Sequence, residues 1–230
     1  MSTQYIQTAL KILLVLVGVS IMITQCRKPS GWLGRRVARA MNIGHARLAK
    51  WGLSHITIGR EFTMLDVGCG GGKLIDTLAA CAPNGKIFGI DYSSSSVETA
   101  RATNAARIAD GSVDIQLGTV SRLPFQPNTF DVVTAFETHY YWPDLPRDLR
   151  EIRRVLKPDG VFLLVAEVHR GQRLSWLFGP AMRMLGGKYL TAAEHRDLVI
   201  NAGYVDVVIE AQPSGWLSVR GVNPSETRST

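Results

Sequence analysis

The sequence predicts an α/β fold built on a doubly wound, mostly parallel seven-stranded sheet with an antiparallel last strand. Short apolar runs alternate with helical segments from residue 61 onward, which is the pattern of parallel strands joined by crossover helices. Residues 161–168, VFLLVAEV, are continuously apolar, as in a strand that helices cover on both faces. Five residues, 211–215, join the last two strands. A connection this short predicts antiparallel pairing.

Each predicted element has a local signal. Apolar runs predict strands at 62–67, 86–91, 113–117, 130–136, 161–168, 204–210 and 216–219. Helices are predicted between them, at 73–81, 94–109, 144–156 and 192–202. Turn residues 83–85 and 157–160 end two of these helices. A serine cap and a capping box, Thr191 with Glu194, open two others.

The chain divides into four predicted segments. Residues 1–28 form a hydrophobic segment, 29–60 a basic helical lid, 61–220 the α/β domain and 221–230 a flexible tail. Residues 1–60 carry nine of the 26 Lys and Arg side chains and no Asp or Glu. Acidic residues slightly outnumber basic ones elsewhere, so no nucleic acid partner is expected. Residues 169–190 exceed a plain connection in length, which is typical of a lid or substrate region.

The N-terminal segment contains a candidate membrane span. Residues 5–24 include one charge, Lys11, and as a helix would extend roughly 30 Å, the thickness of the hydrocarbon layer. Basic residues follow this run, so the positive-inside rule predicts a single-pass anchor with the α/β domain in the cytoplasm. A cleaved signal peptide and an apolar helix packed on a cytoplasmic body are the alternatives.

A glycine-rich loop follows the first predicted strand. The segment DVGCGGGK, residues 66–73, lacks the hydroxyl residue that a triphosphate loop has after its lysine, and it lacks the sixth-position glycine of the dinucleotide fingerprint. A carboxylate at Asp66 would favour a cation over a pyrophosphate. Asp91, at the end of the second strand, can accept hydrogen bonds from both hydroxyls of a ribose. These residues predict a cationic ligand with a ribose and no phosphate, a description that S-adenosylmethionine fits.

Four motifs lie in order between residues 62 and 168: LDVGCGGGKL, GIDYSSSSVETA, GTVSRLPFQPNTFDVVTAFET and RVLKPDGVFLL. They resemble the consecutive motifs of class I S-adenosylmethionine-dependent methyltransferases, whose fold is Rossmann-like. The resemblance implies an enzyme that uses S-adenosylmethionine as cofactor and methylates a small-molecule acceptor. No metal-ligand spacing is visible in the sequence, so no metal is expected.

The resemblance also implies a set of cofactor contacts. The first strand's acid and the glycine loop would surround the methionine end, Asp91 would hold the ribose, and Tyr92 would pack on the adenine. Many family members have an acid after the third strand's glycine, where this chain has Thr119, so the backbone there would serve instead. The implied cofactor residues are Asp66, Gly68, Cys69, Gly70, Gly72, Asp91, Tyr92, Thr119, Val120 and Phe136.

Glu137 and His139, just past the fourth strand, are the predicted catalytic residues. Either side chain could take a proton from an acceptor hydroxyl, amine or acidic CH group. The ordinary pKa of histidine, about 6.5, suits a base at neutral pH, although a packed loop histidine is the alternative for His139. The predicted anchor favours a lipid-soluble acceptor such as a quinone or isoprenoid. A soluble acceptor, and a non-enzymatic sensor or scaffold that binds the cofactor, are the alternative functions.

Overall fold

The computed structural model describes residues 46–173 and 175–225, together with 25, 30–34 and 36. The strands are β1 Thr63–Val67, β2 Lys86–Asp91, β3 Val113–Leu117, β4 Phe130–Phe136, β5 Leu156–Ala166, β6 Val205–Ala211 and β7 Leu217–Val222. The helices are α1 Ala46–Leu53, α2 Lys73–Cys81, α3 Ser94–Thr103, α4 Ala105–Ala109, α5 Leu145–Val155, α6 Ser175–Met184 and α7 Ala192–Asn201, with a 3₁₀ helix at His139–Tyr141.

The seven strands form one sheet in the order β3-β2-β1-β4-β5-β7-β6. Strands β1 to β5 pair in parallel, and β7 pairs antiparallel with both β5 and β6. The predicted fold class is therefore confirmed, including the reversal at the last strand. Parallel pairing brings the carboxyl ends of β1 to β4 to one edge, where ligands bind in open sheets of this kind.

Helices cover both faces of the sheet. Alternate residues of β1 and β4 enter different core clusters: Met64 and Val132 pack in one, Leu65 and Val133 in the other. All four side chains are fully buried. Burial on both faces explains why the central strands appear in the sequence as apolar runs without strict alternation.

Two elements differ from their predicted bounds by more than three residues. The helix predicted at 94–109 breaks at Asn104, whose buried side-chain amide donates to the carbonyl oxygens of Gly72 and Ala100, both at 2.9 Å. This break ties the glycine loop to α3. Strand β5 begins at Leu156, because Leu156 already pairs with Phe130 ahead of an irregularity in the ladder. The predicted turn therefore lies within the strand, and Asp159 adopts a left-handed φ of 61°.

The membrane localisation predicted from the sequence is corrected by the structure. The longest helix among the described residues has 11 residues, whereas a bilayer span needs about 20. None of the helices in that part of the chain is long and apolar enough to cross a membrane. The predicted single-pass anchor is withdrawn on this finding. The span itself, residues 5–24, lies outside the described residues.

Candidate active site

A cavity of about 810 Å³ opens at the carboxyl edge of the sheet. The ends of β1, β2 and β4, together with residues 118–120 after β3, form its floor. Residues of helices α1 and α2 and residues 141–143 also line the cavity. Its volume lies at the upper end of the range of roughly 300–1,000 Å³ for single-ligand pockets.

The glycine loop at 68–72 turns under this cavity. The backbone N–H groups of Gly68 and Cys69 donate to the Ile90 carbonyl oxygen at 2.7 and 3.1 Å, which fixes the loop against β2. Gly68, Gly70 and Gly72 all have positive φ angles, which only glycine adopts readily. A Cβ atom on Gly70 would meet nothing within 4 Å. The loop therefore presents bare backbone to the cavity.

Gly72 has a different role from its neighbours. It is not among the residues that line the cavity, and the cofactor contact that the resemblance implies for it stays a prediction. A Cβ atom on Gly72 would lie 2.8 Å from the Ala100 Cα atom and 2.7 Å from the Asn104 Nδ2 atom. The absence of a side chain at Gly72 therefore allows α3 to approach the loop. Gly71, which the sequence did not single out, lines the cavity instead.

Asp66 is a buried carboxylate on the cavity floor, with 2% of its surface exposed. Its Oδ1 atom accepts a hydrogen bond from Thr134 Oγ1 at 2.8 Å. Burial raises the pKa of Asp66 to about 7, against the lowering effect of Thr134, and the nearby charge of Asp91 raises it further. None of the ion pairs in the described part of the chain involves either carboxylate. A cationic ligand beside Asp66 would stabilise its ionised form.

Asp91 connects the glycine loop to the start of α3. Its two oxygens accept hydrogen bonds from the Gly70 and Ser93 backbone N–H groups at 2.9 and 2.8 Å. Burial raises its pKa, and these hydrogen bonds act in the opposite direction. Each carboxylate oxygen has a further lone pair. Asp91 can therefore still accept hydrogen bonds from two ligand hydroxyls.

Glu137 lines the cavity at the end of β4 with a left-handed φ of 61°. Its Oε1 atom accepts hydrogen bonds from the Tyr140 hydroxyl at 3.1 Å and from the Glu167 backbone N–H. Burial is the main reason that the pKa of Glu137 rises to about 8. A residue that combines a strained backbone with a side-chain pKa near neutrality is typical of acid–base sites. Glu137 can thus accept or hold a proton beside a bound ligand.

His139, the other predicted catalytic residue, does not line the cavity. Its side chain is fully buried, and its Nε2 atom lies 3.0 Å from His195 Nε2. Burial lowers its pKa well below 6.5, so the expectation of an ordinary titration near neutrality is wrong. Its ring is neutral and separated from the ligand space, a placement that does not favour direct proton transfer.

The remaining predicted cofactor residues all line the cavity: Cys69, Tyr92, Thr119, Val120 and Phe136. The structure adds a group that sequence reasoning missed, namely one face of α1 and one face of α2. Leu74, Thr77 and Cys81 recur at helical spacing, and this spacing could have indicated that they share one face of α2. Residues 169–190, predicted to be a lid or substrate region, contribute no lining residue in their described part.

The described residues fit S-adenosylmethionine. The cationic centre of such a ligand matches the buried carboxylate of Asp66, its ribose matches Asp91, and the bare backbone at Gly70 permits close approach. The fold and this site define the Rossmann-like class that holds an adenosyl cofactor at the carboxyl edge of its sheet.

Comparison with known proteins agrees with this class. A family model described as a methyltransferase domain matches residues 65–164. A demethylmenaquinone methyltransferase of Symbiobacterium thermophilum is 43% identical over 101 residues, which are 44% of this chain and 40% of the relative. A 2-phytyl-1,4-naphtoquinone methyltransferase of Synechococcus elongatus is 31% identical over 163 residues, 68% of this chain and 66% of the relative.

Solved structures show the same fold. Human N-acetylserotonin methyltransferase in complex with S-adenosylmethionine superposes with a TM-score of 0.68 at 21% identity, over 83% of this chain and 56% of that chain. The family model and these relatives support a class I S-adenosylmethionine-dependent methyltransferase, with S-adenosylmethionine as its cofactor. It spans less than half the length of the first curated relatives that it matches.

Proposed function

We propose that this protein methylates a small lipophilic acceptor that has a polar head and a hydrocarbon tail. The observation that carries the proposal is the continuity of the cavity. Residues of α1 and α2 line the same cavity as Asp66 and Asp91. A ligand packed against these two helices would therefore remain connected to the site of methyl transfer.

The part of the cavity lined by the two helices, here called the α1–α2 lobe, is largely apolar. Its lining consists of Ala46, Ala49 and Leu53 from α1 and Leu74, Thr77 and Cys81 from α2, with Lys50 and Lys73 also lining the cavity. A hydrocarbon chain gains about 0.8 kcal/mol for each buried CH₂ group. The two quinone methyltransferases among the relatives support an acceptor of this class.

The bound cofactor supplies an activated methyl group on a sulfur cation. The protein's part is to hold Asp66 ionised beside that charge and to hold the ribose through Asp91. Glu137 is placed to take the proton of an acceptor hydroxyl or acidic CH group as the acceptor atom bonds to the methyl carbon. On transfer, the carbon–sulfur electron pair would remain with the sulfur of the cofactor, which would become neutral. Much of the rate enhancement comes from this positioning.

The test is transfer of a radiolabelled methyl group by the purified full chain. Reduced naphthoquinones with and without a prenyl tail serve as acceptors, and the product is extracted into an organic phase. Labelled product, with a lower KM for the tailed acceptor, is expected. Binding of S-adenosylhomocysteine without labelled product would contradict the proposal and support the sensor or scaffold alternative.

Glu137→Gln tests the proton acceptor. Its kcat is expected to fall by about 10²-fold or more, the usual contribution of general base catalysis. Because the ionised form of Glu137 accepts the proton, the wild-type rate should rise as pH increases through about 8. That rise should be absent in Glu137→Gln. Glu98→Gln, at an exposed position on α3, is the matched control and should keep the wild-type pH profile.

A further inference from the structure

His139 and His195 form a buried pair behind the cavity. Their Nε2 atoms lie 3.0 Å apart, and the two side chains are 0% and 2% exposed. His195 Nδ1 lies 2.7 Å from the carbonyl oxygen of Thr191, one turn earlier on α7. His139 Nδ1 is buried without a hydrogen-bond partner. The four ring nitrogens therefore have very different surroundings.

These contacts determine where the protons lie. A carbonyl oxygen only accepts hydrogen bonds, so His195 Nδ1 must carry the proton of that contact. Because a neutral imidazole carries one N–H proton, His195 Nε2 is then an acceptor, and His139 Nε2 is its donor. His139 Nδ1 is consequently a bare nitrogen in an unpartnered position. A second proton on either ring would have to enter this unpartnered position or break the bond between the rings.

A contact path connects the pair to the active site. The His139 ring packs on the Tyr140 ring with the centroids 4.1 Å apart. The Tyr140 hydroxyl has two acceptors within reach of its one proton, Glu137 Oε1 at 3.1 Å and the Val168 carbonyl oxygen at 3.0 Å. The backbone of Lys188 also binds this segment, since its N–H donates to the Tyr140 carbonyl oxygen at 2.8 Å. The segment that follows β4 is thus fixed by residues that do not line the cavity.

We propose that His139 and His195 are positioning residues that fix Glu137 against the bound acceptor through a hydrogen bond of defined direction, from His139 Nε2–H to His195 Nε2. The proposal rests on the proposed function for the role of Glu137. Neither histidine touches the ligand space. The pair acts by holding the ring of Tyr140, and so the carboxylate of Glu137, in one position.

Burial preserves the neutral state of the pair. Desolvation has the largest effect on His195 and lowers its pKa, and His169 acts in the same direction, whereas the hydrogen bond to Thr191 and the charge of Glu194 raise it. Glu194 is itself paired with Arg170 and bound at the start of α7. On the His139 side, burial and His195 both lower the pKa. The bond between the rings is therefore maintained at neutral pH.

The first measurement is the tautomer of each ring, from ¹⁵N chemical shifts and two-bond couplings in the full chain. We expect the Nε2–H form for His139 and the Nδ1–H form for His195. The reverse assignment, or a charged ring at pH 7, would overturn the proposal. This readout does not depend on turnover, so it remains valid even if no methyl acceptor is found.

The second measurement compares His195→Gln with His195→Leu. Glutamine offers an amide oxygen that can accept the His139 proton, whereas leucine offers none. In His195→Leu, kcat is expected to fall about tenfold or more through misplacement of Glu137, with the Kd for S-adenosylhomocysteine unchanged. His195→Gln should restore most of the rate. Equal kcat values for His195→Leu and the wild type would overturn the proposal.

The titration of ¹³C-labelled Glu137 provides a third readout that does not require activity. A shift of the Glu137 pKa in His195→Leu, absent from His195→Gln, is expected if the pair positions this carboxylate. An unshifted titration in both variants would contradict the positioning role even when both are folded. If this titration behaves as expected and no acceptor is methylated, the proposed function alone fails.

Discussion

The carboxylate of Asp66 lies in the active site with little access to solvent and without a cation in the described part of the chain. A pKa of about 7 means that about half of the ligand-free molecules hold a proton on Asp66 at neutral pH. A cationic ligand binds the ionised form. Cofactor binding should therefore be linked to release of this proton.

We predict that S-adenosylmethionine binds more tightly as pH rises from 5.5 to 7.5, with protons released on binding. Below a pH of about 7, the affinity should change by up to about tenfold for each pH unit. Calorimetry in two buffers of different ionisation enthalpy measures the released protons. Asp66→Asn should remove both effects, whereas Asp159→Asn, at an exposed position on β5, should retain them. A wild-type affinity that does not change with pH, with no protons released on binding, would contradict this prediction.

Among single residues, the placement of those at strand ends could be predicted from the sequence. The placement of residues that depend on distant partners could not. Asp66 and Asp91 end strands that share one edge, so their proximity follows from the parallel order of the sheet. His139 follows β4 directly and thus looked like a base. Its burial depends on His195, which is 56 residues away in the sequence, and no local pattern contains that contact.

At the scale of elements, the glycine loop combines two functions at neighbouring positions. Gly70 faces open space in the cavity, and Gly72 faces α3. The same substitution should therefore have different effects at the two sites.

Gly70→Ala is predicted to fold and to bind S-adenosylhomocysteine at least tenfold more weakly, because the new methyl group occupies ligand space. Holding alanine at the left-handed φ of 52° that Gly70 adopts costs about 1–2 kcal/mol of stability. Gly72→Ala should lose more, about 2 kcal/mol or above, since its Cβ atom would clash with α3 in addition to the strain. Urea denaturation and calorimetry measure the two effects. Equal losses of stability would contradict the distinction between the two positions.

The α1–α2 lobe gives a second prediction at this scale. Cys81→Trp would fill the lobe with an indole ring, and kcat/KM for a prenylated acceptor should fall about tenfold or more, the loss of two or more buried CH₂ groups. An acceptor without a tail should be methylated at the wild-type rate. Cys81→Ser, of similar volume, is the control. Equal losses for both acceptors would show that the tail does not enter the lobe.

Several elements could be predicted to within a residue or two, including α2, β2, β3 and β4. Their ends coincide with glycine, proline and capping residues, which act locally. The α1–α2 lobe could not be predicted, because it depends on how two helices separated by β1 pack together. Helix α6 was also missed, since Gly179 and Pro180 within it are signals of a turn.

For the molecule as a whole, the pKa shifts of buried groups make stability depend on pH, and burial raises the pKa of Asp91 as well as those of two other acids. Asp66 and Glu137 have raised pKa values, about 7 and about 8, so the folded protein holds protons there that the unfolded chain releases. His139 and His195 have lowered pKa values, so the unfolded chain binds protons there that the folded protein does not. The two effects oppose each other between about pH 5 and the histidine pKa of about 6.5.

We predict a nearly flat free energy of unfolding between about pH 5 and 6.5, followed by a decrease up to about pH 8. Above 6.5 the histidines no longer contribute, and each buried acid costs up to about 1.4 kcal/mol per pH unit. Glu137→Gln should lose less stability across the upper range, as measured by urea denaturation at pH 5, 6, 7 and 8. A wild-type stability that rises from pH 6.5 to 8 would contradict this account.

The position of β7 between β5 and β6 has a consequence for synthesis in the cell. Although β7 is the last described strand in chain order, it is an interior strand of the sheet, paired on both edges. During translation, residue 222 must clear the ribosomal exit tunnel before β5 and β6 acquire their shared neighbour. Until then both strands expose unpaired backbone edges, which are the surfaces that nascent-chain chaperones protect from aggregation.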